Sequence, residues 1–513
     1  MIKFVVPIVI IFLTVILYGS FLDITPVHFN QDELGFSLNA YSIAKTGYDE
    51  NGRFLPLYFW HLGVMWSTPI IVYLTSFVLK LFPLTEATVR FASVFIGIMD
   101  VVLIFYLAKK LFKKQLYGII AAALLALTPV HFIHSRLLLD NLYPVPFVLA
   151  WLLFLFIFLE QKKLWSLLLS SFFLGLGVHS YHAAKVLMPI YLTMTFLFLI
   201  PEIKKKKIIA PLILLAFILP ILPLIPWLSQ YPDTLTDQVR YTGLYNTNLS
   251  PIAGILSLIT LENLLQKLGI YVSYFNLSFL FSTSDISLIH STITVGVFLL
   301  SLLILLPLGM VKIIKELGRR AGLLIITGFF VAPMAPSLVG NQFRVSKELV
   351  ILPFAILLAV SGIRFLLNFR NKVGKVLAII LLAIIPLQFG LFISTYYGDY
   401  RNQSYTWFNY DIPGGLETVI GQSQQKPTDS IYLDNKVHFI DRYWKFYIIK
   451  NHSEDLISKT NYFDSQYLDL KSLPTNSLLL YRFDSINSQQ SRINLTEKIR
   501  EPDGFTSFYI YRN

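Results

Sequence analysis

Two adjacent carboxylates follow the first apolar segment of the chain. Asp32 and Glu33 lie in Phe29-Asn30-Gln31-Asp32-Glu33-Leu34-Gly35, just after an apolar run over 4–21. Carboxylates at the end of a membrane helix are costly to hold near hydrocarbon and often belong to a functional site. A carboxylate in such a site can take a proton from a reacting hydroxyl. We therefore predict that Asp32 is catalytic, with Glu33 as second choice, against the alternative of an exposed loop turn.

The composition indicates a polytopic membrane protein around this pair. Of the 513 residues, 55% are hydrophobic and only 14% are charged, with a mean hydropathy of +0.62. Soluble domains do not reach this balance. The net charge of +12 does not indicate nucleic acid, because the basic residues cluster in short loops between apolar runs. The chain has no cysteine, which excludes disulfides and thiolate chemistry.

The fold class follows from the apolar runs, which predict an α-helical membrane protein with about 11 transmembrane helices. The first run has no cleavage pattern after it and is read as a retained helix rather than a signal peptide. The predicted spans are 4–21, 88–107, 116–130, 142–160, 165–180, 185–200, 208–228, 291–311, 321–338, 348–366 and 376–394.

Basic loops set the predicted orientation of these spans. One orientation places all five basic loops in the cytoplasm: 109–114, 162–163, 204–207, 312–320 and 364–375. The weaker run 67–82 then stays outside as a juxtamembrane helix, with a twelfth span as the alternative. The chain is predicted to be an integral plasma (inner) membrane protein. The predicted external loops are 22–87, 131–141, 181–184, 229–290 and 339–347.

A change in composition near residue 395 predicts two domains. Residues 1–394 would form the transmembrane domain, including the first external loop over 22–87 and a large external loop over 229–290. The polar tail over 395–513 carries short strand-like runs and would form a small extracytoplasmic α/β domain.

Further charged and polar side chains fall on the predicted outer face. They suit an anionic lipid headgroup, since cations hold phosphate and a carboxylate can act as base. Arg53, Arg90, Lys80 and Lys267 are expected to be interfacial anchors. Zinc ligation and interfacial hydrogen bonding both stay open for His131, His134, His179 and His182. The further candidates for substrate contact are His61, Arg136, Asp140, Tyr181, Lys185 and Arg344.

Several segments resemble one known family. Asp32-Glu33 follows a first helix, and Ser135-Arg136-Leu137-Leu138-Leu139-Asp140-Asn141 is similar to the Ser-Arg-x-x-Leu-Leu-Asp stretch of a second external loop. Gly177–Pro189 and Gln342-Phe343-Arg344 also look like loops of that family. The chain thus resembles the GT-C type transferases of the protein O-mannosyltransferase and lipid A aminoarabinose transferase group, which is glycosyltransferase family 39-like.

The resemblance implies transfer of a sugar from a polyprenyl-phosphate donor to an acceptor hydroxyl, with inversion at the anomeric carbon, on the extracytoplasmic face. It also implies that Lys185, with Tyr181 nearby, and Arg344 contact the lipid phosphate. Arg136 and Asp140 are expected either to form a charged pair that supports the first loop or to contact substrate. The scheme needs no metal, although a divalent metal stays open. The expected partners are the lipid donor, the bilayer and an acceptor protein, lipid or glycan.

Departures from the family pattern and competing classes qualify this interpretation. Ser67-Thr68-Pro69 stands where the family commonly has a lysine and a proline pair, so His61 could supply the missing donor contact. An oligosaccharide transferase or ligase with a lipid-pyrophosphate donor would need more acidic residues. A lipid or glycan transporter would need charges inside its spans, where Asp100 is the exception and is expected at a contact between helices.

Overall fold

The fold is predominantly helical, with one small sheet at its C-terminal end. A computed structural model of the chain describes residues 2–242, 250–258, 260–339, 342–369, 372–464, 473–485 and 495–513. Up to residue 242 the elements are α1 (Ile2–Gly19), α2 (Gln31–Thr46), β1 (Phe59–His61), β2 (Met65–Ser67), α3 (Pro69–Leu81), α4 (Glu86–Phe112), α5 (Gln115–Ala126), α6 (Pro129–His134), α7 (Val145–Gln161), α8 (Leu164–Gly177), α9 (Ala184–Phe198), α10 (Ile200–Lys205), α11 (Ile209–Ile218), α12 (Leu224–Gln230) and α13 (Asp233–Thr242).

The second half of the chain completes the helical bundle and adds the C-terminal sheet. Its elements are α14 (Pro251–Ser257), α15 (Leu261–Ser273), α16 (Ser301–Leu317), α17 (Arg319–Val331), α18 (Met334–Val339), α19 (Ile351–Leu367), α20 (Lys372–Tyr397), α21 (Asp399–Ser404), α22 (Ile412–Gln425), β3 (Ser430–Asp434), α23 (Ile440–Lys450), β4 (Thr460–Phe463), β5 (Ser477–Arg482), β6 (Leu495–Arg500) and β7 (Thr506–Arg512).

A helix lies over each predicted span, but only some helices are long enough to cross a bilayer alone. Among the described residues, four helical segments are both long and apolar enough: Glu86–Phe112, Asp140–Gln161, Arg319–Leu338 and Lys372–Tyr397. Other apolar helices, such as α9, have 10–17 residues. A fifth span is possible if Ile209–Ile221 and Leu224–Gln230, bent by 42° beside Pro220 and Pro223, act as one. The chain is therefore a helical membrane protein, and the number eleven stays a prediction.

The prediction of a span over 291–311 is wrong at its start. Helix α16 begins at Ser301, and the preceding residues run as irregular backbone against Phe279–Thr283. The amide of Phe298 donates to the carbonyl of Leu280 at 2.8 Å. A Cβ at Gly296 would collide with the backbone of Phe281, so the close approach requires glycine. An apolar sequence alone does not reveal this packing.

The weak run over 67–82 folds as the 13-residue helix α3. At 1.5 Å per residue this is about 20 Å, short of the roughly 30 Å of a bilayer core. Helix α3 packs against α2 and α4. Its length therefore agrees with a helix that does not cross the membrane.

The tail forms a mixed five-stranded sheet with strand order β4-β3-β5-β7-β6. Strand β3 pairs in parallel with β4 and β5, whereas β7 pairs antiparallel with β5 and β6. Helix α22 packs on β5 and β7, and α23 contacts both α22 and α2. Helix α23 of this C-terminal region thus contacts α2, the helix whose first turn carries the acidic pair.

Candidate active site

The first turn of α2 separates the two adjacent carboxylates. Asn30 caps the helix, accepting a hydrogen bond from the Asp32 amide at 2.8 Å. Successive helical residues point about 100° apart, so neighbours face different surroundings. The Asp32 side chain is 53% exposed, while Glu33 is fully buried. Only Asp32 can meet an incoming substrate.

Glu33 is a structural residue, which corrects its assignment as a second catalytic choice. Arg90 of α4 donates to both carboxylate oxygens of Glu33 at 2.9 Å. The amides of Asn30 and Leu138 donate to the same carboxylate at 3.0 Å. With its acceptor positions filled and no solvent contact, Glu33 has no place for an acceptor hydroxyl. Arg90 is correspondingly a buried ion-pair partner rather than the interfacial anchor expected from the sequence.

The imidazole of His61 lies close to the Asp32 carboxylate. His61 Nε2 lies 3.4 Å from Asp32 Oδ1, and the His61 ring packs on Phe36 with centroids 4.5 Å apart. His61 sits on β1, in a hairpin whose turn uses left-handed residues Leu62 and Gly63. The sequence prediction that His61 belongs to the site is compatible with this position.

Gly35 allows that approach. A Cβ at this position would lie 2.5 Å from Cε1 of His61. We expect Gly35→Ala to push the ring from Asp32 and to lower turnover by roughly 10- to 100-fold, as displaced catalytic groups commonly do. Gly421→Ala is the matched control, because nothing lies within 4 Å of a Cβ there. Equal turnover in both variants, measured on purified protein, would contradict the role of this contact.

Asp140 approaches the same region from the segment between α6 and α7. It is buried and accepts a hydrogen bond from Thr68 Oγ1 at 2.7 Å. It also interacts electrostatically with Asp32 and His61. The bond to Thr68 ties the second loop to the start of α3, at the position where the sequence departs from the family pattern.

Arg136 does not pair with Asp140, and this corrects both its expected pairing and its expected substrate contact. Its guanidinium is fully buried and donates to the carbonyls of Tyr18, Ser20, Phe21 and Thr25 at 2.7–3.1 Å. These carbonyls belong to the end of α1 and the following turn. Arg136 therefore fixes the exit of α1 and presents no face to a substrate.

Lys185 lies at the beginning of α9, beside Asp140. Its ammonium stands over the Tyr58 ring, 5.1 Å from the centroid, and lies 3.5 Å from His182 Nδ1. Lys185 and Tyr181 both interact electrostatically with Asp140. Lys185 is half-buried, so a phosphate reaching it would meet a cation in poorly hydrated surroundings.

Arg344 has an acidic partner, which the sequence analysis did not identify. Its Nη1 lies 3.5 Å from Asp285 Oδ1, and the Val345 amide donates to Asp285 Oδ2 at 3.0 Å. Burial raises the pKa of Asp285, although Arg344 and the donating amides oppose that shift. The Arg344 side chain remains 35% exposed. Asp285 therefore holds the Arg344 guanidinium on one side, and the other side is open to solvent.

Tyr274 lies near residues on both the Lys185 side and the Arg344 side of the site. It interacts electrostatically with Tyr181 on one side and with Asp285 on the other. We did not predict Tyr274 or Asp285 from the sequence; both lie in the 229–290 loop, which matched no acceptor class. We also did not predict Thr68 and Tyr58 as partners of Asp140 and Lys185.

The histidines considered for zinc have separate partners. Among the described residues, no group of three or more His, Asp or Glu side chains is placed to hold a metal ion. His134 Nε2 lies 3.1 Å from His290 Nδ1, and burial lowers the pKa of His290. The partners of the others are Tyr18 and Asp100 for His131, Tyr58 and the Pro220 carbonyl for His179, and Lys185 for His182.

Known proteins with similar sequence or structure indicate the family and the fold of this chain. Residues 67–229 match the model of the family described as dolichyl-phosphate-mannose-protein mannosyltransferase. The structure of ArnT from Cupriavidus metallidurans bound to undecaprenyl phosphate aligns over 99% of this chain and 96% of that one, with a TM-score of 0.53 and 12% identity. The apo state of the same protein aligns over 99% and 97%, with a TM-score of 0.54 and 11% identity. The chain has the GT-C fold.

A third structure is similar in fold. The oligosaccharyltransferase AglB from Archaeoglobus fulgidus, in complex with an inhibitory peptide and a dolichol-phosphate, has a TM-score of 0.51 and 11% identity. The alignment covers 98% of this chain and 74% of the AglB chain. A comparison with curated proteins found no match. The resemblance to GT-C glycosyltransferases inferred from the sequence is confirmed. Because the three structures share so little sequence identity with this chain, the structural similarity shows the fold alone.

Proposed function

We propose that this chain transfers a sugar from a polyprenyl-phosphate donor to an acceptor hydroxyl, with Asp32 as the general base. The observation that carries the proposal is the solvent-facing Asp32 carboxylate, in contact with His61 and electrostatically linked through Asp140 to the cation of Lys185. A base and a phosphate-binding cation are thus held by neighbouring loops. The family match over 67–229 supports the same chemistry.

The proposed step is a single displacement at the anomeric carbon. Asp32 takes the proton of the acceptor hydroxyl as its oxygen bonds to the anomeric carbon. The bond from that carbon to the phosphate oxygen breaks, and the polyprenyl phosphate leaves with the bonding electrons. Lys185 and Arg344 stabilise the charge that grows on the phosphate. The displacement inverts the anomeric configuration, and we propose that it proceeds without a divalent metal.

The phosphate assignment predicts selective effects on the donor. Lys185→Ala and Arg344→Ala should each raise the apparent KM for the lipid donor by about tenfold, since a charge-assisted contact contributes roughly 1.5–3 kcal/mol. The KM for the acceptor should change little. Lys80→Ala, which alters an exposed lysine of α3, is the control. An unchanged donor KM in both variants, measured by initial rates, would remove them from the phosphate site.

We propose that the site and the C-terminal domain are extracytoplasmic. The chain has no native cysteine, so single cysteines can report this cleanly. Phe82→Cys, at an exposed position after α3, should react with an impermeant reagent in intact cells. Lys114→Cys, in the basic loop after α4, should react only after permeabilisation. A reporter fused after Ser394 should read as extracytoplasmic, and the reverse labelling pattern would overturn the orientation.

The acceptor class requires a cellular measurement. Glycans and glycolipids from cells that express the intact chain or Asp32→Asn should be compared by mass spectrometry. A transferase should lose one glycosylated product and accumulate its donor in the Asp32→Asn cells. If the chain were a transporter, the glycosylated product should be present in both kinds of cell. A single exposed carboxylate at a helix start does not form a pore, so its loss should not block transport.

A further inference from the structure

The C-terminal domain contacts the segment that leads into α2 and carries Asp32. The Tyr443 hydroxyl of α23 donates to the Phe29 carbonyl at 2.9 Å. The Phe446 ring, also on α23, packs on the Phe29 ring with centroids 4.9 Å apart. Phe29 precedes the cap residue of α2 and lies three residues before Asp32. The contact therefore holds the backbone from which the catalytic turn begins.

A second contact reaches the neighbouring residue, His28. Its Nε2 lies 2.6 Å from Glu501 Oε2, and its Nδ1 lies 3.4 Å from Asp411 Oδ1. Glu501 Oε1 in turn accepts from the Asp411 amide at 2.8 Å. Glu501 is almost fully buried, at 3% exposure. Two residues of the C-terminal domain thus hold one imidazole of the first external loop.

Ion pairs flank these contacts along α23. Arg442 and Lys445 lie 3.3 Å and 2.8 Å from Glu50 Oε1. Lys450 lies 2.7 Å from Glu86 Oε2, and the Tyr447 hydroxyl donates to Glu86 at 2.7 Å. Helix α23 is therefore fixed to the membrane domain on both sides of Tyr443.

The other end of the same segment is fixed from within the membrane domain. Arg90 donates to the His28 carbonyl at 2.7 Å and to Glu33 on the first turn of α2. The segment over 28–33 is thus held between Arg90 on one side and the C-terminal domain on the other. Asp32 is the exposed side chain of this otherwise anchored turn.

We infer that Tyr443 and Glu501 are positioning residues for Asp32, and that the C-terminal domain is a structural part of the active site. The inference rests on the proposed function for its kinetic consequence, but its structural part is independent of it. Catalytic groups must be held to within a fraction of an ångström, and a displacement of about 1 Å can cost roughly 100-fold in rate. Both residues are buried and contact Phe29 or His28, so each acts through the segment over 28–33.

The test uses the full-length protein in lipid nanodiscs and two matched pairs of variants. Tyr443→Phe removes the hydroxyl that holds Phe29, whereas Tyr481→Phe makes the same change at a buried tyrosine of β5 whose hydroxyl has no hydrogen-bond partner among the described residues. Glu501→Gln weakens the pairing with His28, whereas Glu497→Gln changes an exposed glutamate on the neighbouring β6. Thermal melting identifies any variant that fails to fold.

Two readouts separate positioning from general stability. Hydrogen exchange over 28–36 should accelerate in Tyr443→Phe and Glu501→Gln and stay unchanged in the controls. A spin label on Gln31→Cys should become more mobile in the same two variants. Their kcat should fall by about 10- to 100-fold with little change in donor KM.

The outcomes distinguish this inference from the proposed function. Unchanged exchange and kcat in both variants, beside an inactive Asp32→Asn, would overturn the positioning role and leave the proposed function standing. Faster exchange over 28–36 together with a fully active Asp32→Asn would support the structural contact and refute Asp32 as base. A loss of kcat with unchanged exchange and label mobility would also overturn the inference.

Discussion

Asp32→Asn should lower turnover by about 100- to 10,000-fold, the usual cost of removing a general base. The amide keeps the shape of the side chain and retains an oxygen toward His61, but it cannot accept the proton of the acceptor hydroxyl. Because the side chain is half exposed, folding and membrane insertion should stay intact. Single-turnover kinetics on purified protein measure the effect.

Asp23→Asn is the matched control for this variant. Asp23 is an exposed carboxylate in the same connection between α1 and α2, before the segment that leads into α2. It should keep near-normal turnover. Near-normal turnover in Asp32→Asn as well would remove Asp32 from the role of base, whatever the family resemblance.

Glu33→Gln should act on folding, at a cost on the order of 3–5 kcal/mol. The substitution leaves the Arg90 guanidinium buried without its charge partner and turns an amide NH₂ toward it. Two backbone amides that donate to Glu33 also lose part of their acceptor. The melting temperature in detergent should fall sharply, and turnover per folded molecule should fall less than in Asp32→Asn.

Glu160→Gln is the comparison variant, because it removes a surface ion pair whose contribution to stability should be small. Glu160 is 49% exposed and lies beside Lys110 and Lys113. Exposed pairs contribute about 0–1 kcal/mol, so this variant should melt close to the unaltered protein. Equal melting temperatures for Glu33→Gln and Glu160→Gln would contradict the buried structural role of Glu33.

Local sequence patterns predicted the regular elements well. The apolar run over 88–107, which contains Arg90 and Asp100, became part of α4, and the short strand-like runs of the tail became β3, β5 and β7. These elements depend on periodicity and hydropathy, which are visible in a short window. The start of α16 was missed because it depends on Gly296 touching Phe281, a contact between segments that no local pattern encodes.

The site was predicted in part, and the assignments that were wrong share one cause. Asp32, His61, Asp140 and Lys185 lie near one another in the fold, while their roles and the common outer face of their loops stay predictions. Glu33 and Arg136 could not be sorted from the sequence, since their partners are distant: Arg90 lies 57 residues from Glu33, and the carbonyls that Arg136 binds lie more than 110 residues away.

Burial and exposure distinguish a structural charge from a catalytic one, and adjacent residues can differ completely in both. Asp32 and Glu33 show this most clearly, because one helical turn sends one side chain to solvent and the other into the core. From the sequence, Asp32 and Glu33 could be compared only by side-chain chemistry, and both side chains are carboxylates.

The central claim is tested most directly by identifying both products of one reaction. Purified protein in nanodiscs should be given a panel of polyprenyl-monophosphate-linked sugars and candidate acceptors, with mass spectrometry of the lipid and NMR of the new anomeric centre. We expect one polyprenyl monophosphate released per sugar transferred, with inverted configuration, and a rate lower by about 100-fold or more in Asp32→Asn. A product of retained configuration, or transfer only from pyrophosphate-linked donors, would contradict the claim.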